Sequence, residues 1–367
     1  MRTKEQLRVI TAYNPENQLD HNLIKLSENE NIYGCSPNVI EAIKKITNLH
    51  IYPDSSASEL KKALSSYHGV KGSDLFIGNG SDELIRLLSR AFICSGDEAI
   101  MAEVTFPRYR TNVIIEGGIP VCVPLENGKH DLPAMANKLS SRTKIMFICN
   151  PNNPTGTVVT KEELTRFIQQ IPKEVLIILD EAYEEYVTSQ DFLQGIPFVS
   201  QYPNLVVLRT FSKMYGLASL RVGYGIMNPL IIEALEKVRD VFNVSTIAQQ
   251  AALAALEDEN FKLECKVKND HIRKIVERRL LEESIVFYPT QSNFIMIQTG
   301  LNGSFVTREL KKIGYSVRSG EFLGHPNWIR VAFGTLEDMD KILGLLLRLM
   351  KTRGEYIEYT SRRISME

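Results

Sequence analysis

The chain has 367 residues, which at roughly 100–200 residues per domain suits two domains. Hydrophobic residues make up 44% and charged residues 24%, a balance that excludes a disordered chain, a collagen-like fibre and a disulfide miniprotein. With 43 basic against 44 acidic residues the net charge is −1, so nothing favours nucleic acid and any anionic ligand needs a local cluster of positive groups.

The N-terminus, MRTKEQLRVI, lacks the apolar core of a secretory leader. The longest apolar runs, such as Val175–Leu179 and Leu345–Leu347, are too short to span a bilayer. A cytoplasmic protein without membrane contact is expected. Its cysteines, Cys35, Cys94, Cys122, Cys149 and Cys265, then read as small buried hydrophobes. The histidines are scattered without metal-ligand spacing, and no metal is expected.

The segment to about Pro37 reads as an arm that packs with a small domain. Leu75–Gly78 reads as a strand, and Leu84, Leu87, Leu88, Ala91 and Phe92 then follow helical spacing. Glu98–Ala102 reads as another strand. Ile145–Cys149, Val175–Leu179 and Leu205–Leu208 are short apolar runs without polar alternation, as in a parallel sheet covered on both faces. Repeated strand–helix–strand units imply an α/β domain. Glu257–Leu281 is a charged helical stretch. It is followed by a strand at Ser292–Gln298, a helix around Phe305–Lys312, strands near Tyr315–Arg318 and at Trp328–Phe333, and a helix at Leu336–Met350. The expected division is 1–45 as arm and part of the small domain, 46–255 as a large α/β domain, 256–353 as a small α+β domain, and 354–367 as a loose tail.

In open parallel sheets, ligands bind beyond the carboxyl ends of the strands. The first strand runs into GNGSDE, Gly78–Glu83. Its glycines, Ser81 and a helix N-terminus suit a phosphate, although an ordinary capped turn fits equally. Ile145–Cys149 runs into NPNNPTG, Asn150–Gly156, a rigid turn bearing amides that is either a plain loop or a ligand contact. Val175–Leu179 ends in Asp180-Glu181-Ala182-Tyr183. A carboxylate at the tip of a buried strand needs a cationic partner unless it merely caps the next helix. Leu205–Leu208 is followed by Arg209-Thr210-Phe211-Ser212-Lys213, and Arg221 precedes a strand that contains Gly223 and Gly225. Lys213 by its position alone is a surface group or a nucleophile.

Together these motifs explain one another. A lysine forms a Schiff base with an aldehyde. Pyridoxal phosphate requires such a lysine, an acidic partner for its ring nitrogen and a phosphate cradle. Lys213, Asp180 and the set Ser81, Ser212 and Arg221 supply all three, with Tyr183 and Asn153 available to the ring's 3-oxygen.

The sequence resembles the fold-type I pyridoxal-phosphate aminotransferases, a class II family within them, and more narrowly the histidinol-phosphate aminotransferases. The resemblance runs from about Ile10 to Met350. It is carried by LSENENIYG, YPDSSASELKKAL, GNGSDE, FPRY, NPNNPTG, DEAYEEY, TFSKMYGLASLRVGYG, FNVSTIAQQAALAAL and VRSGEFLGHPNWIRVAFGT. It implies a large domain with a mostly parallel sheet between helices and a smaller α+β domain. Lys213 would be the catalytic lysine. Asp180 would face the ring nitrogen, and Tyr183 and Asn153 the 3-oxygen. Ser81, Asp82, Ser212 and Arg221 would hold the phosphate, Asp82 through its backbone, and Phe106 would cover the ring. Tyr52 would reach the phosphate of a neighbouring subunit, making the working unit a homodimer. Arg330 would hold a substrate carboxylate or phosphate, with Arg318 and Tyr13 as further substrate contacts; Arg318 also fits a solvated charge at a strand end. Ile32 stands where relatives usually have proline, and Ser219 where glycine is common.

The implied reaction moves an amino group from histidinol phosphate to 2-oxoglutarate, giving imidazole-acetol phosphate and glutamate in histidine biosynthesis. The partners are an amino donor and a 2-oxo acid acceptor. An aromatic amino acid aminotransferase, a phosphothreonine decarboxylase and a natural-product enzyme share the scaffold and remain alternatives.

Overall fold

The computed structural model describes residues 3–12 and 22–364, those beyond 351 by backbone alone. Seven strands build the main sheet: β1 (Leu75–Gly78), β2 (Glu98–Ala102), β3 (Ile119–Val123), β4 (Thr143–Cys149), β5 (Leu176–Asp180), β6 (Leu205–Thr210) and β7 (Gly223–Ile226). Their order is β1-β7-β6-β5-β4-β2-β3, and β7 alone runs antiparallel to both neighbours.

The apolar runs become central strands because helices cover both faces. Residues alternate between faces along a strand. Ile178, Val206 and Leu208 therefore pack against the helices Gly80–Phe92, Arg108–Ile115 and Pro229–Glu236. Ile177, Leu179 and Val207 pack on the opposite side with the helices Ser58–His68, Lys161–Gln170 and Thr246–Glu257.

The antiparallel turn of β7 has a local cause. The connection Phe211–Val222 contains only one short 3-10 turn, Ala218–Leu220, and no helix that would carry the chain to the far end of the sheet. It therefore stays beside the carboxyl end of β6, with Lys213 in it. Register then aligns Gly223 with Thr210 and Gly78, and Asp180 with Cys149 and Leu208, so these groups share one edge.

A second sheet is antiparallel throughout: β8 (Phe287–Tyr288), β9 (Phe294–Gln298), β10 (Arg318–Ser319) and β11 (Trp328–Ala332), in the order β8-β9-β11-β10. Ile295, Ile297, Ile329 and Val331 pack with the helices Gly303–Lys312 and Leu336–Ile364. The arm joins here. Ile24–Lys25 pairs in parallel with Tyr315–Ser316, and Leu26 exchanges backbone bonds with Ser316 at 2.8 Å and Ala332 at 2.9 Å.

The structure corrects four expectations. The strand near Tyr315–Arg318 splits into two short strands that serve different sheets, with Val317 buried between them. The helical stretch from Glu257 breaks at Asp258, whose side chain caps a new helix, Glu259–Glu282, by accepting from Phe261 N at 3.0 Å. The last helix does not stop before Gly354 but runs on to Ile364, since no proline interrupts the backbone ladder. Cys94 is exposed rather than buried, because it sits in the turn after the helix Gly80–Phe92; Cys149 and Cys265 are buried. Among the described residues no helix is long and apolar enough to cross a membrane.

Gly216 lies in the Lys213 connection at φ +70°, and a Cβ there would overlap the carbonyl of Gly34 in the arm. Gly344 lies inside the last helix with open space around it. Gly216→Ala should therefore cost more than about 1–2 kcal/mol, whereas Gly344→Ala should stabilise by up to about 1 kcal/mol. Urea unfolding of the two variants checks both signs.

Candidate active site

A cavity of about 870 Å³ opens where the carboxyl ends of the main strands face the small sheet and the arm. Ser81, Asp82, Phe106, Asn153, Asp180, Tyr183, Ser212, Lys213, Arg221, Arg318 and Arg330 all line it. Tyr52 does not: it is 77% exposed and stacks on Phe242 with ring centroids 4.4 Å apart. Tyr13 lies outside the described residues.

Asp180 is buried at the tip of β5. Its carboxylate accepts from Tyr109 Oη at 2.7 Å and from Ala182 N at 3.2 Å. Among the described residues no cationic side chain pairs with it. Burial pushes its pKa up to about 6, although the two hydrogen bonds pull it down. The site thus holds an anion that lacks a cation. Lys213 donates from Nζ to the Glu28 carbonyl at 2.8 Å and stands 5.7 Å from the centre of the Tyr183 ring. Burial and then the positive charge of Arg330 lower its pKa to about 8. Near neutral pH an accessible fraction of the amine is neutral and nucleophilic.

Tyr183 accepts from Asn29 Nδ2 at 3.0 Å, and burial raises its pKa. Asn153 Oδ1 accepts from Arg330 Nη1 at 2.5 Å, and Arg330 also donates to the Ser27 carbonyl. The phosphate-sized end is built from backbone as much as from side chains. The helix Gly80–Phe92 begins there with Ser81 at its N-terminal turn, a natural anion site. Arg221, in left-handed conformation at φ 52°, donates to Ser212 Oγ at 3.2 Å. Its guanidinium approaches so closely that a Cβ on Gly80 would lie 2.7 Å from Nη2, and Gly80 itself has φ +75°. A Cβ on Gly223 would come within 2.6 Å of Ser81 N, so the loop can close only over glycine. The Asp82 carboxylate turns aside to Arg108 Nε at 3.1 Å, which leaves its backbone for the cradle. Phe106 meets Tyr109 edge to face with centroids 5.5 Å apart.

An aromatic ring with a phosphate, an aldehyde carbon and a basic ring nitrogen fits this set: the nitrogen for Asp180, the carbon for Lys213, the phosphate for the Ser81–Ser212–Arg221 cradle.

Sequence reasoning missed several contributors. Tyr109 belongs to FPRY, but that its hydroxyl reaches Asp180 depends on a helix docked across the sheet. Asn29 and the Glu28 carbonyl come from the arm, and LSENENIYG is their only trace in the sequence. Behind the site, Arg209 donates from Nε to Glu181 at 2.8 Å and pairs with Glu184, while Gly195 N donates to Glu181 at 2.7 Å. Burial pushes Glu181 and Glu185 up to about 7 each.

The sequence pattern of aminotransferase class I and II matches residues 21–346. The chain belongs to the class I and II aminotransferase family. Among curated members, the histidinol-phosphate aminotransferase of Geobacillus sp. (strain WCH70) is 44% identical over 96% of this chain and 99% of its own length. That of Brevibacillus brevis is also 44% identical, over 95% of this chain and 99% of its own. Among solved aminotransferases, the histidinol-phosphate aminotransferase of Sinorhizobium meliloti in complex with pyridoxal-5'-phosphate superposes with a TM-score of 0.87. It is 26% identical and covers 96% of this chain and 98% of its own. The fold is that of this aminotransferase family, with a large mixed sheet and a small antiparallel one.

The Asp180 charge sets a pH signature for the chain free of ligand. The folded pKa of about 6 lies above the unfolded value near 3.8, so the stability tied to the protonated form is full at low pH and is lost as pH rises through 6. At pH 8 Asp180→Asn should be more stable than wild type by on the order of 2–3 kcal/mol, and the gap should close toward pH 4. Adding pyridoxal phosphate should raise the melting temperature of wild type more than that of Asp180→Asn. Calorimetric scans between pH 4 and 8 measure both effects.

Proposed function

We propose that this chain is a pyridoxal-phosphate-dependent transaminase that exchanges an amino group between histidinol phosphate and 2-oxoglutarate, in histidine biosynthesis. The observation that carries this reading is a pair of guanidiniums facing one cavity: Arg318 and Arg330 are register partners across β10 and β11 and line the same cavity as Lys213. A substrate with two anionic ends needs two such anchors. Histidinol phosphate itself has one anion, whereas glutamate and 2-oxoglutarate have two. Two aminotransferases 44% identical to this chain carry that substrate in their names.

When bound, pyridoxal phosphate supplies an aldehyde that takes up the substrate amine and a ring that withdraws electrons from its α-carbon. The rest falls to the chain's own side chains. Asp180 keeps a proton on the ring nitrogen, since opposite charges favour each other's charged forms. Lys213, with its pKa near 8, takes the proton from the substrate's α-carbon and returns it on the neighbouring position. Tyr183 and Asn153 orient the 3-oxygen, Phe106 covers the ring face, and Ser81, Asp82, Ser212 and Arg221 anchor the phosphate. Arg330 grips the α-carboxylate of glutamate and Arg318 its distal carboxylate, and the two guanidiniums together take the phosphate of histidinol phosphate.

Residues 46–255 form the cofactor-binding domain in this reading, and the arm 1–45 works with the small domain 256–353. The enzyme acts as a cytoplasmic homodimer. Support for the dimer comes from an apolar surface on which Leu49, Ile51, Tyr52, Val241 and Phe242 stand exposed together in two nearby segments. Such an unburied patch suits a subunit contact, and Tyr52 within it would reach the partner's phosphate site.

Borohydride reduction of the holoenzyme should fix the cofactor to Lys213 by peptide mapping, and sedimentation should give a dimer. In a donor panel, histidinol phosphate should outrun phenylalanine and tyrosine. Arg330→Lys should slow both half-reactions by about 10–100-fold, because an ammonium cannot reproduce a paired guanidinium grip. Good turnover of aromatic donors without turnover of histidinol phosphate would leave only the aminotransferase class.

A further inference from the structure

Like charges directly opposite each other on an antiparallel pair repel, so Arg318 and Arg330 each need a counter-group. Arg330 has the Asn153 side chain and the Ser27 carbonyl. Arg318 has a full charge instead: its Nη1 lies 3.5 Å from Glu28 Oε1, and its guanidinium packs over the Phe322 ring at 5.6 Å. Both Arg318 and Glu28 line the cavity.

Glu28 is held there by its neighbours. Leu26 is bonded through its backbone to Ser316 and Ala332. The Ser27 carbonyl takes Arg330, the Glu28 carbonyl takes Lys213, and the Asn29 side chain holds Tyr183 while its carbonyl accepts from Asn293 at 3.1 Å. A stretch bonded at every residue keeps the Glu28 carboxylate at the cavity wall.

We propose that Glu28 determines amino-donor specificity: it is the counter-ion of Arg318 in the resting site, and the acceptor for a ring N–H once a substrate anion has taken Arg318. The inference rests on the histidinol phosphate reading and deepens it. The paired state offsets the Arg318 charge at this end of the pocket. A distal anion competes with Glu28 for Arg318 and leaves a carboxylate, 35% exposed in the resting site, without its cation just as the bound substrate displaces its water, which is costly unless a new donor arrives. A donor that combines an anion with an imidazole N–H supplies both parts. Glutamate supplies a distal anion but no ring N–H, and phenylalanine, whose single carboxylate goes to Arg330, supplies neither a distal anion nor a ring N–H. Glu28 thus adds discrimination through a polar group that the wrong substrate leaves unpaired.

The test is Glu28→Gln holoenzyme, read by half-reaction kinetics and by calorimetric titration with propyl phosphate, which has the anion and no ring. The kcat/KM ratio of histidinol phosphate to glutamate should fall by about tenfold or more, mainly through KM. Propyl phosphate should bind about threefold tighter or more, because an internal competitor is gone. Glu28→Asp, which keeps the charge, should recover part of the ratio. A ratio within twofold of wild type overturns the proposal. So does weaker binding of propyl phosphate in step with slower turnover, since that pattern means a loosened arm. Wild-type enzyme that leaves histidinol phosphate unreacted overturns the substrate reading itself, and this inference with it.

Discussion

Arg209 is buried at the tip of β6 against Glu181, Glu184 and Glu185, and it ties together the two strand ends that carry the chemistry. Successive residues of a strand face opposite ways. Glu181 and Arg209 therefore meet behind the sheet, while Asp180 and Thr210, their immediate neighbours, face the cavity. A buried guanidinium that loses its partner costs about 3–5 kcal/mol, so β5 and β6 cannot slide past one another without a large loss. The geometry between Asp180 and the Lys213 connection depends on that restraint. Burial, and then the charge of Glu184, push Glu181 and Glu185 up to about 7, since one guanidinium cannot compensate three carboxylates at once.

The cavity in front follows the opposite arrangement. Lys213, Arg221, Arg318 and Arg330 line it, against Asp180, Asp82 and Glu28. Crowded cations lower the Lys213 pKa beyond what burial alone achieves, and they attract anionic substrates at the same time. One set of charges therefore serves both to hold ligands and to tune the base. The tuning is incomplete because the charges of Glu28 and Glu30 favour the protonated amine.

Much of the fold was legible in the sequence because central strands are uniformly apolar and helices follow their own period. Lys213 and Asp180 were legible for a related reason: a charged residue straight after an apolar run stands at a strand's carboxyl end, where parallel sheets bind ligands. The unread parts are those that depend on distant segments meeting. Glu28 and Arg318 are 290 positions apart, and the Arg209–Glu181 pair looks in sequence like two ordinary charges. Tyr315–Arg318 reads as one strand, but its two halves answer to different partners, the arm on one side and β11 on the other. The end of the last helix was misread because residues beyond Gly354 lack apolar period, and a backbone ladder does not need one.

The arm precedes the main sheet in the chain, yet Leu26 is bonded to Ser316 and Ala332, which follow that sheet. Contacts between such distant positions form late in folding. The main sheet can assemble from residues 75–226 as they emerge from the ribosome, but Ser27, Glu28 and Asn29 reach Arg330, Lys213 and Tyr183 only when the small sheet has left the exit tunnel. The segment that carries the lysine and the aspartate is therefore made before the residues that let the arm close over the reactive amine.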